Sequence, residues 1–192
     1  MNVLIVAATE LEIISCQIKE KSILITGIGM VNTSINLTKE LIKEKYDLVI
    51  NMGVAGSFIN ELKNGEVVEV VEDFFSEIGF ENGESFSFFS DFNLKTKYEV
   101  DAKTPLRKVR GITVNTVHGN NQSISKIISR LNPEVESMEG AAVFKVCEEF
   151  SIPCLQIRSV SNAVEKRNRN SWDLDLAIKN LNIEVEKIIN SL

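Results

Sequence analysis

Two carboxylates and one carboxamide stand out, because each follows or opens an element able to carry it to a sheet edge. Glu12 lies in Ala7-Ala8-Thr9-Glu10-Leu11-Glu12, after the apolar run that begins at Val3. Glu139 lies in Val135-Glu136-Ser137-Met138-Glu139-Gly140-Ala141-Ala142, where a helical pattern begins. Asn162 closes Arg158-Ser159-Val160-Ser161-Asn162, after another apolar run. Ligands of open α/β sheets bind beyond the carboxyl ends of strands, so the three could meet at one edge. Such a set suits cleavage of a bond to a nitrogen base. Each residue also has a plainer reading. Acidic groups are common where helices start, and asparagine is a common turn residue.

Glycine-rich turns accompany these residues. Gly27-Ile28-Gly29-Met30 joins a strand to a helix, and its backbone amides could cradle an anion. It is no dinucleotide fingerprint, because Asn32 stands where the third glycine belongs. Gly53-Val54-Ala55-Gly56-Ser57 ends another strand, as a tight turn or as a ligand contact. His118, the sole histidine, stands in Val117-His118-Gly119-Asn120-Asn121, and no Ser-His-Asp constellation can be built on it. Arg167 and Arg169 fall in a polar loop that reads as solvated, and Trp172 just after it reads as core or as pocket wall.

The elements that must position these residues follow from periodicity. Val3 to Ala8, Ile23 to Ile28, Leu48 to Val54, Val67 to Val71, Ile112 to Val117 and Cys154 to Val160 read as strands, most of them short apolar runs of the buried kind. Val31 to Lys45 reads as a helix with Val31, Ile35, Leu41 and Ile42 on one face. Met138 to Phe150 reads as a second helix, with Pro153 soon after its end. Leu174 to Leu192 reads as a third, capped near Ser171. Strand–helix alternation implies a mainly parallel sheet covered by helices. Glu81 to Lys108 is polar with interspersed phenylalanines and reads as a long loop. The 192 residues suit one domain, 1–192. A net charge of −6 offers no basic surface for nucleic acid or an anionic membrane. No run approaches a membrane span, and the start lacks the basic and long apolar regions of a signal peptide, so the expected location is the cytoplasm. The three cysteines lack metal-ligand spacing and read as free thiols.

Taken together and in this order, the segments resemble the nucleoside phosphorylase and nucleosidase superfamily over nearly the whole chain. The resemblance rests on Ala7 to Glu12, Gly27 to Val31, Asn51 to Ser57, Val135 to Ala142 and Arg158 to Asn162. Within the superfamily, Leu155 to Ser159 and Arg167 to Asn182 look most like the futalosine-cleaving branch. The resemblance implies a three-layer α/β/α fold with a mixed, mostly parallel central sheet. It implies hydrolysis of an N-ribosyl bond in a small-molecule nucleoside, without metal or cofactor, by a homo-oligomer (dimer or tetramer). By motif position Glu12 matches the water-activating carboxylate. Glu139 matches the carboxylate on the ribose hydroxyls, with Met138 against the sugar. Asn162 matches the residue that serves the base near N7, which is Asp in the methylthioadenosine-cleaving relatives. An Asn amide can donate to the O6 of a 6-oxopurine and accept from a protonated N7. Further substrate contacts are expected from Gly53, Val54, Ala55 and Gly119. Trp172, Arg167 and Arg169 are expected at the far, aromatic carboxylate end of the substrate.

Overall fold

The computed structural model describes residues 1–83, 85–89 and 92–192. Strand β1 (Val3–Ala7) is buried on both faces. Alternation sends Val3, Ile5 and Ala7 into one core with Leu181, Val185 and Ile188 of helix α5 (Leu174–Ser191). It sends Leu4 and Val6 into a second core, with Leu37 and Leu41 of α2 (Met30–Lys43) and with Ala141, Val143 and Phe144 of α4 (Gly140–Glu149). Burial from both sides explains why the run is continuously apolar.

Strand β3 (Leu48–Ser57) organises the sheet. Along one edge it runs parallel to β10 (Cys154–Ala163) over nearly its full length. Its other edge is divided. β1 pairs in parallel with Leu48 to Asn51, and β9 (Val135–Ser137) pairs antiparallel with Gly56 and Ser57. Among the described residues, Met52 to Ala55 therefore have no strand partner on that edge. Strand β2 (Ser22–Ile25) extends the sheet in parallel beyond β1, after the single-turn helix α1 (Cys16–Lys19).

From β10 the sheet curls. Strand β4 (Val67–Phe75) pairs antiparallel with β10 and in parallel with β8 (Arg107–Thr113), which is parallel to β9. Because β9 returns to β3, the strands β3, β10, β4, β8 and β9 form a closed ring. Val68, Val70, Val109, Val135 and Val160 of these strands share a third core with Ala55 and Leu62. The fold is thus the expected α/β class with a mixed sheet, and helices lie on both faces where the sheet is flat. Its other end closes like a barrel instead of continuing as the middle layer of three.

Several expectations shift. In α2 the inward residues are Thr33, Leu37 and Leu41, while Val31, Ile35 and Ile42 are exposed. The strand expected at Ile112 to Val117 begins earlier and ends at Thr113. Helix α5 is capped by Asp173, whose carboxylate accepts from the Leu176 N–H at 3.0 Å, and not by Ser171. Helix α3 (Asn121–Leu131) was not expected. The Glu81–Lys108 stretch holds strand β7 (Lys97–Glu99) on β4 and part of the hairpin β5 (Phe80–Asn82) and β6 (Ser85–Ser87). Glu84, Ser90 and Asp91 of that stretch lie outside the described residues. Arg130 of α3 stacks on Phe86 of the hairpin, 3.8 Å from the ring centre. No helix among the described residues is long and apolar enough to cross a membrane.

Candidate active site

The gap between β1 and β9 on the edge of β3 is where the chemistry collects. Glu12 ends a 3-10 turn, Glu10–Glu12, that leaves β1. Thr9 and Glu12 form the reciprocal capping pair of a helix start. That pairing fixes the carboxylate: Oε2 accepts from the Thr9 N–H at 3.0 Å, and Oε1 accepts from the Val54 N–H at 3.3 Å. One unpaired amide of β3 is thereby satisfied by the acid that fills the gap. Gly53 permits this approach. A Cβ there would lie 2.9 Å from both Glu12 Oε1 and Arg158 Nη1.

Arg158 of β10 is 1% exposed. Its Nη2 donates to Asn51 Oδ1 at 2.5 Å, and its Nε is buried without a protein partner. A buried guanidinium needs charge compensation; Glu139 interacts with it electrostatically, and Glu12 faces it across Gly53 without a direct ion pair. Sequence reasoning gave Arg158 no role in the site. The signal was a charged residue in the middle of a run that reads as a buried strand.

Glu139 stands just before α4 and reaches across to the turn after β2, where its Oε1 accepts from the Gly29 N–H at 2.9 Å. The anion cradled by the Gly27–Met30 turn is therefore a side chain of the same protein. Burial pushes the Glu139 carboxyl up, and nearby Glu12 adds to this. Arg158 and the Gly29 N–H oppose it. Glu12, Glu139 and Arg158 thus share one electrostatic neighbourhood. Beneath it, Ala141 N–H donates to Thr113 Oγ1 at 2.7 Å, and Thr113 donates to Asp73 at 3.0 Å. Gln156 donates to the other Asp73 oxygen at 2.9 Å. This buried chain fixes the first turn of α4, and with it Glu139. Met138 packs, half-buried, against the cluster of Ile112, Val114 and Ile127.

Asn162 lies further along β10. The β3–β10 register pairs Arg158 with Gly53 and Asn162 with Gly56. Three residues of strand are about 10 Å, the span of a purine nucleoside with a hydrogen-bonded group at each end. A bulge at Ser161 re-aims the strand there. Ser161 Oγ donates to Asn162 Oδ1 at 2.8 Å, and Asn162 Nδ2 donates to Ala163 O at 2.9 Å. One N–H and one lone pair of the amide remain for a ligand.

A small cavity beside Asn162 is lined by Gly56, His118, Glu136, Arg167 and Trp172 among others. Glu136 clamps His118, accepting from its backbone N–H at 3.0 Å and meeting Nδ1 at 2.6 Å. Arg167 lies 5.2 Å from the Trp172 ring centre. Gly119 comes against the backbone of Arg167, while Arg169 is exposed in a second 3-10 turn, Arg169–Ser171, outside the cavity lining. Val54 serves Glu12 through its amide, and the Ala55 carbonyl accepts from Ser161. A wider groove of about 620 Å³, between the β5–β6 hairpin and α3, includes none of Glu12, Glu139 or Asn162 in its lining.

The arrangement sets two carboxylates and a guanidinium near one stretch of strand edge, with an amide about one nucleoside length away. Comparison with known proteins shows the family and the fold. A 5′-methylthioadenosine/S-adenosylhomocysteine nucleosidase of Psychromonas ingrahamii is 29% identical over 194 residues, covering 92% of this chain and 84% of that protein. The Neisseria meningitidis enzyme of the same name, solved with methylthio-immucillin-A, superposes with a TM-score of 0.83 at 20% identity, covering 99% of both chains. The futalosine hydrolase of Helicobacter pylori superposes with a TM-score of 0.84 at 18% identity, covering 99% of this chain and 97% of that one. The model of the phosphorylase superfamily matches residues 6–191, and the chain belongs to that superfamily.

Proposed function

We propose that this protein hydrolyses the N-ribosyl bond of futalosine, releasing hypoxanthine. The observation that carries the reading is the convergence of Glu12, Glu139 and Arg158 on one neighbourhood around Gly53. Water lying between Glu12 and Arg158 attacks the anomeric carbon of the ribose. Glu12 takes the proton. The bond to the base breaks with its electron pair moving into the purine, through an oxocarbenium-like transition state. Glu139 binds the ribose hydroxyls and orients the sugar. The departing purine takes a proton from solvent at N7, and Asn162 donates to O6 and accepts from that N7–H.

Asn162 supports a 6-oxopurine over adenine, whose 6-amino group is a donor where the amide also donates. Trp172 and Arg167 line the cavity beside Asn162, so in this reading they flank the base and not the aromatic carboxylate at the far end of futalosine. The second reading is methylthioadenosine cleavage, favoured by the name of the Psychromonas ingrahamii relative and opposed by Asn162. Phosphorolysis is the third. Arg158 is a buried cation beside Gly53, but the neighbouring carboxylates of Glu12 and Glu139 oppose a phosphate dianion.

The deciding experiment is incubation of the purified protein with futalosine, inosine and methylthioadenosine, with and without phosphate, followed by mass spectrometry. Futalosine should be cleaved fastest and give the free sugar even in excess phosphate. A ribose 1-phosphate ester as main product would make the protein a phosphorylase, and preference for methylthioadenosine would decide for the second reading.

A further inference from the structure

Asn182 lies in the middle of α5, 170 residues from Glu12, and is 3% exposed. All of its hydrogen-bonding capacity is used. Oδ1 accepts from the Ile14 N–H at 3.0 Å and the Ser15 N–H at 3.1 Å. Nδ2 donates to the Glu12 carbonyl at 2.9 Å and to the Ile178 carbonyl at 2.8 Å. Three of these four bonds hold the backbone of Glu12, Ile14 and Ser15. One turn further along α5, Glu186 accepts from Ser15 Oγ, which also caps α1 by accepting from the Ile18 N–H at 3.2 Å.

Beyond the Thr9–Glu12 cap, the segment so held has little of its own to fix it. Glu12 ends a three-residue 3-10 turn, and Ile13 is already extended. So short a turn leaves its amides and carbonyls to find partners elsewhere. Only a carboxamide can accept from two N–H groups and donate to a carbonyl in one plane. A carboxylate only accepts, and an apolar side chain does neither.

We infer that Asn182 is a positioning residue for the water-activating acid, fixing the Glu12 carboxylate at the edge of β3 by clamping the backbone that carries it. The inference rests on the reading of Glu12 as general base. A carboxylate held in place by its own peptide depends on that peptide, and misplacement by about 1 Å costs on the order of 100-fold in rate. The substrate-holding groups Glu139 and Asn162 lie on other elements, so binding should be spared.

The test is a double-mutant cycle in the full chain, using whichever of futalosine, inosine and methylthioadenosine the wild type cleaves fastest. Glu12→Gln should lower kcat by about two to four decades. Asn182→Ala should lower kcat about 10- to 100-fold with KM within roughly twofold of wild type. In the Glu12→Gln background, Asn182→Ala should cost nothing further, because the acid it positions is gone. Leu41→Ala, which thins the second core and not the one that packs Ile13, should lower the melting temperature and leave kcat unchanged. If Asn182→Ala fails to fold, Asn182→Asp serves in its place, since it keeps both acceptor bonds and loses the donor to the Glu12 carbonyl. Equal losses in both backgrounds, or an unchanged kcat, would overturn the inference while leaving Glu12 as the base. A Glu12→Gln variant with wild-type kcat, or no cleavage of any of the three nucleosides, would overturn the underlying reading and the inference with it.

Discussion

Asn162 and Asp73 show how much a single polar atom decides here. With Asn162, the wild type should favour futalosine over aminofutalosine, its 6-amino counterpart. Asn162→Asp should narrow or reverse that preference, because a protonated Asp donates to N7 and no longer to O6. A lost donor to a buried carbonyl costs about 1–3 kcal/mol, or one to two decades in the ratio of kcat/KM for the two substrates. An unchanged ratio would reduce Asn162 to a turn residue. Asp73 is completely buried, and burial pushes its carboxyl up to about 6 against the lowering effects of Gln156, Thr113 and Arg158. Between pH 4 and 6 the folded protein therefore holds a proton that the unfolded chain releases. The stability it contributes is full below pH 4 and lost as pH rises through 6, by roughly 3 kcal/mol. Asp73→Asn should flatten this part of the stability profile, measured by denaturant unfolding across pH 4 to 7. The new amide can donate to Gln156 Oε1, which is buried without a partner, once the Gln156 amide turns over. A variant with the wild-type pH slope would mean that Asp73 does not titrate in this range.

Among elements, the strand-to-helix turn before α2 carries the sharpest constraint. Gly29 has φ +91°, a conformation that L side chains rarely adopt, and its N–H holds Glu139. Gly29→Ala should strain the turn by about 1–2 kcal/mol. It should also raise KM more than it lowers kcat, because Glu139 binds the sugar while Glu12 stands on another turn. Kinetics on the purified variant would show this, and a change in kcat alone would detach Glu139 from ribose binding. How legible each element was depends on what holds it. β1, β10 and α4 were readable because each is buried against much of the core, and burial writes an apolar run or a regular stripe. Helix α3 was not readable. Only Ile127 is buried there, and serines occupy three of its positions. Its one local signal was Asn120, whose side chain accepts from the Gln122 and Ser123 N–H groups. The three-residue β9 exists through its partners β3 and β8, and pairings so distant in sequence leave no periodicity. The same is true of the ring closure, and of Arg158, whose partner Asn51 comes from another strand. Glu12, Glu139 and Asn162 were legible because they stand next to element ends, where the chain itself marks a sheet edge.

At the scale of the whole molecule, the outer face of α2 is an exposed apolar surface among the described residues. Val31, Ile35 and Ile42 lie on the outer side of α2, exposed by 65%, 48% and 70%. Leu11 and Ile28 are exposed by 76% and 57%, on the two turns that flank the cleft. Those turns run side by side, because the Gly27 N–H donates to the Ala8 carbonyl at 3.1 Å. Single exposed apolar residues are ordinary, but a contiguous set of this kind marks an interaction surface. It also explains why the stripe of α2 reads as inward in sequence. The helix is apolar on two sides, and its core uses Leu37 and Leu41 while Val31, Ile35 and Ile42 face outward. The occupant expected is a second copy of this chain, since a two-fold pair buries the same patch on both partners. Such a pair would cover Leu11 and Ile28 and so restrict water beside Glu12 and Gly29. The purified protein should therefore run as a dimer or a multiple of it in light scattering coupled to gel filtration. Ile35→Glu, placed at the centre of the patch and away from the cleft residues, should shift it to monomer with the far-ultraviolet dichroism unchanged. If the wild type is monomeric at micromolar concentration, or if Ile35→Glu leaves the assembled state intact, the α2 face is not the contact.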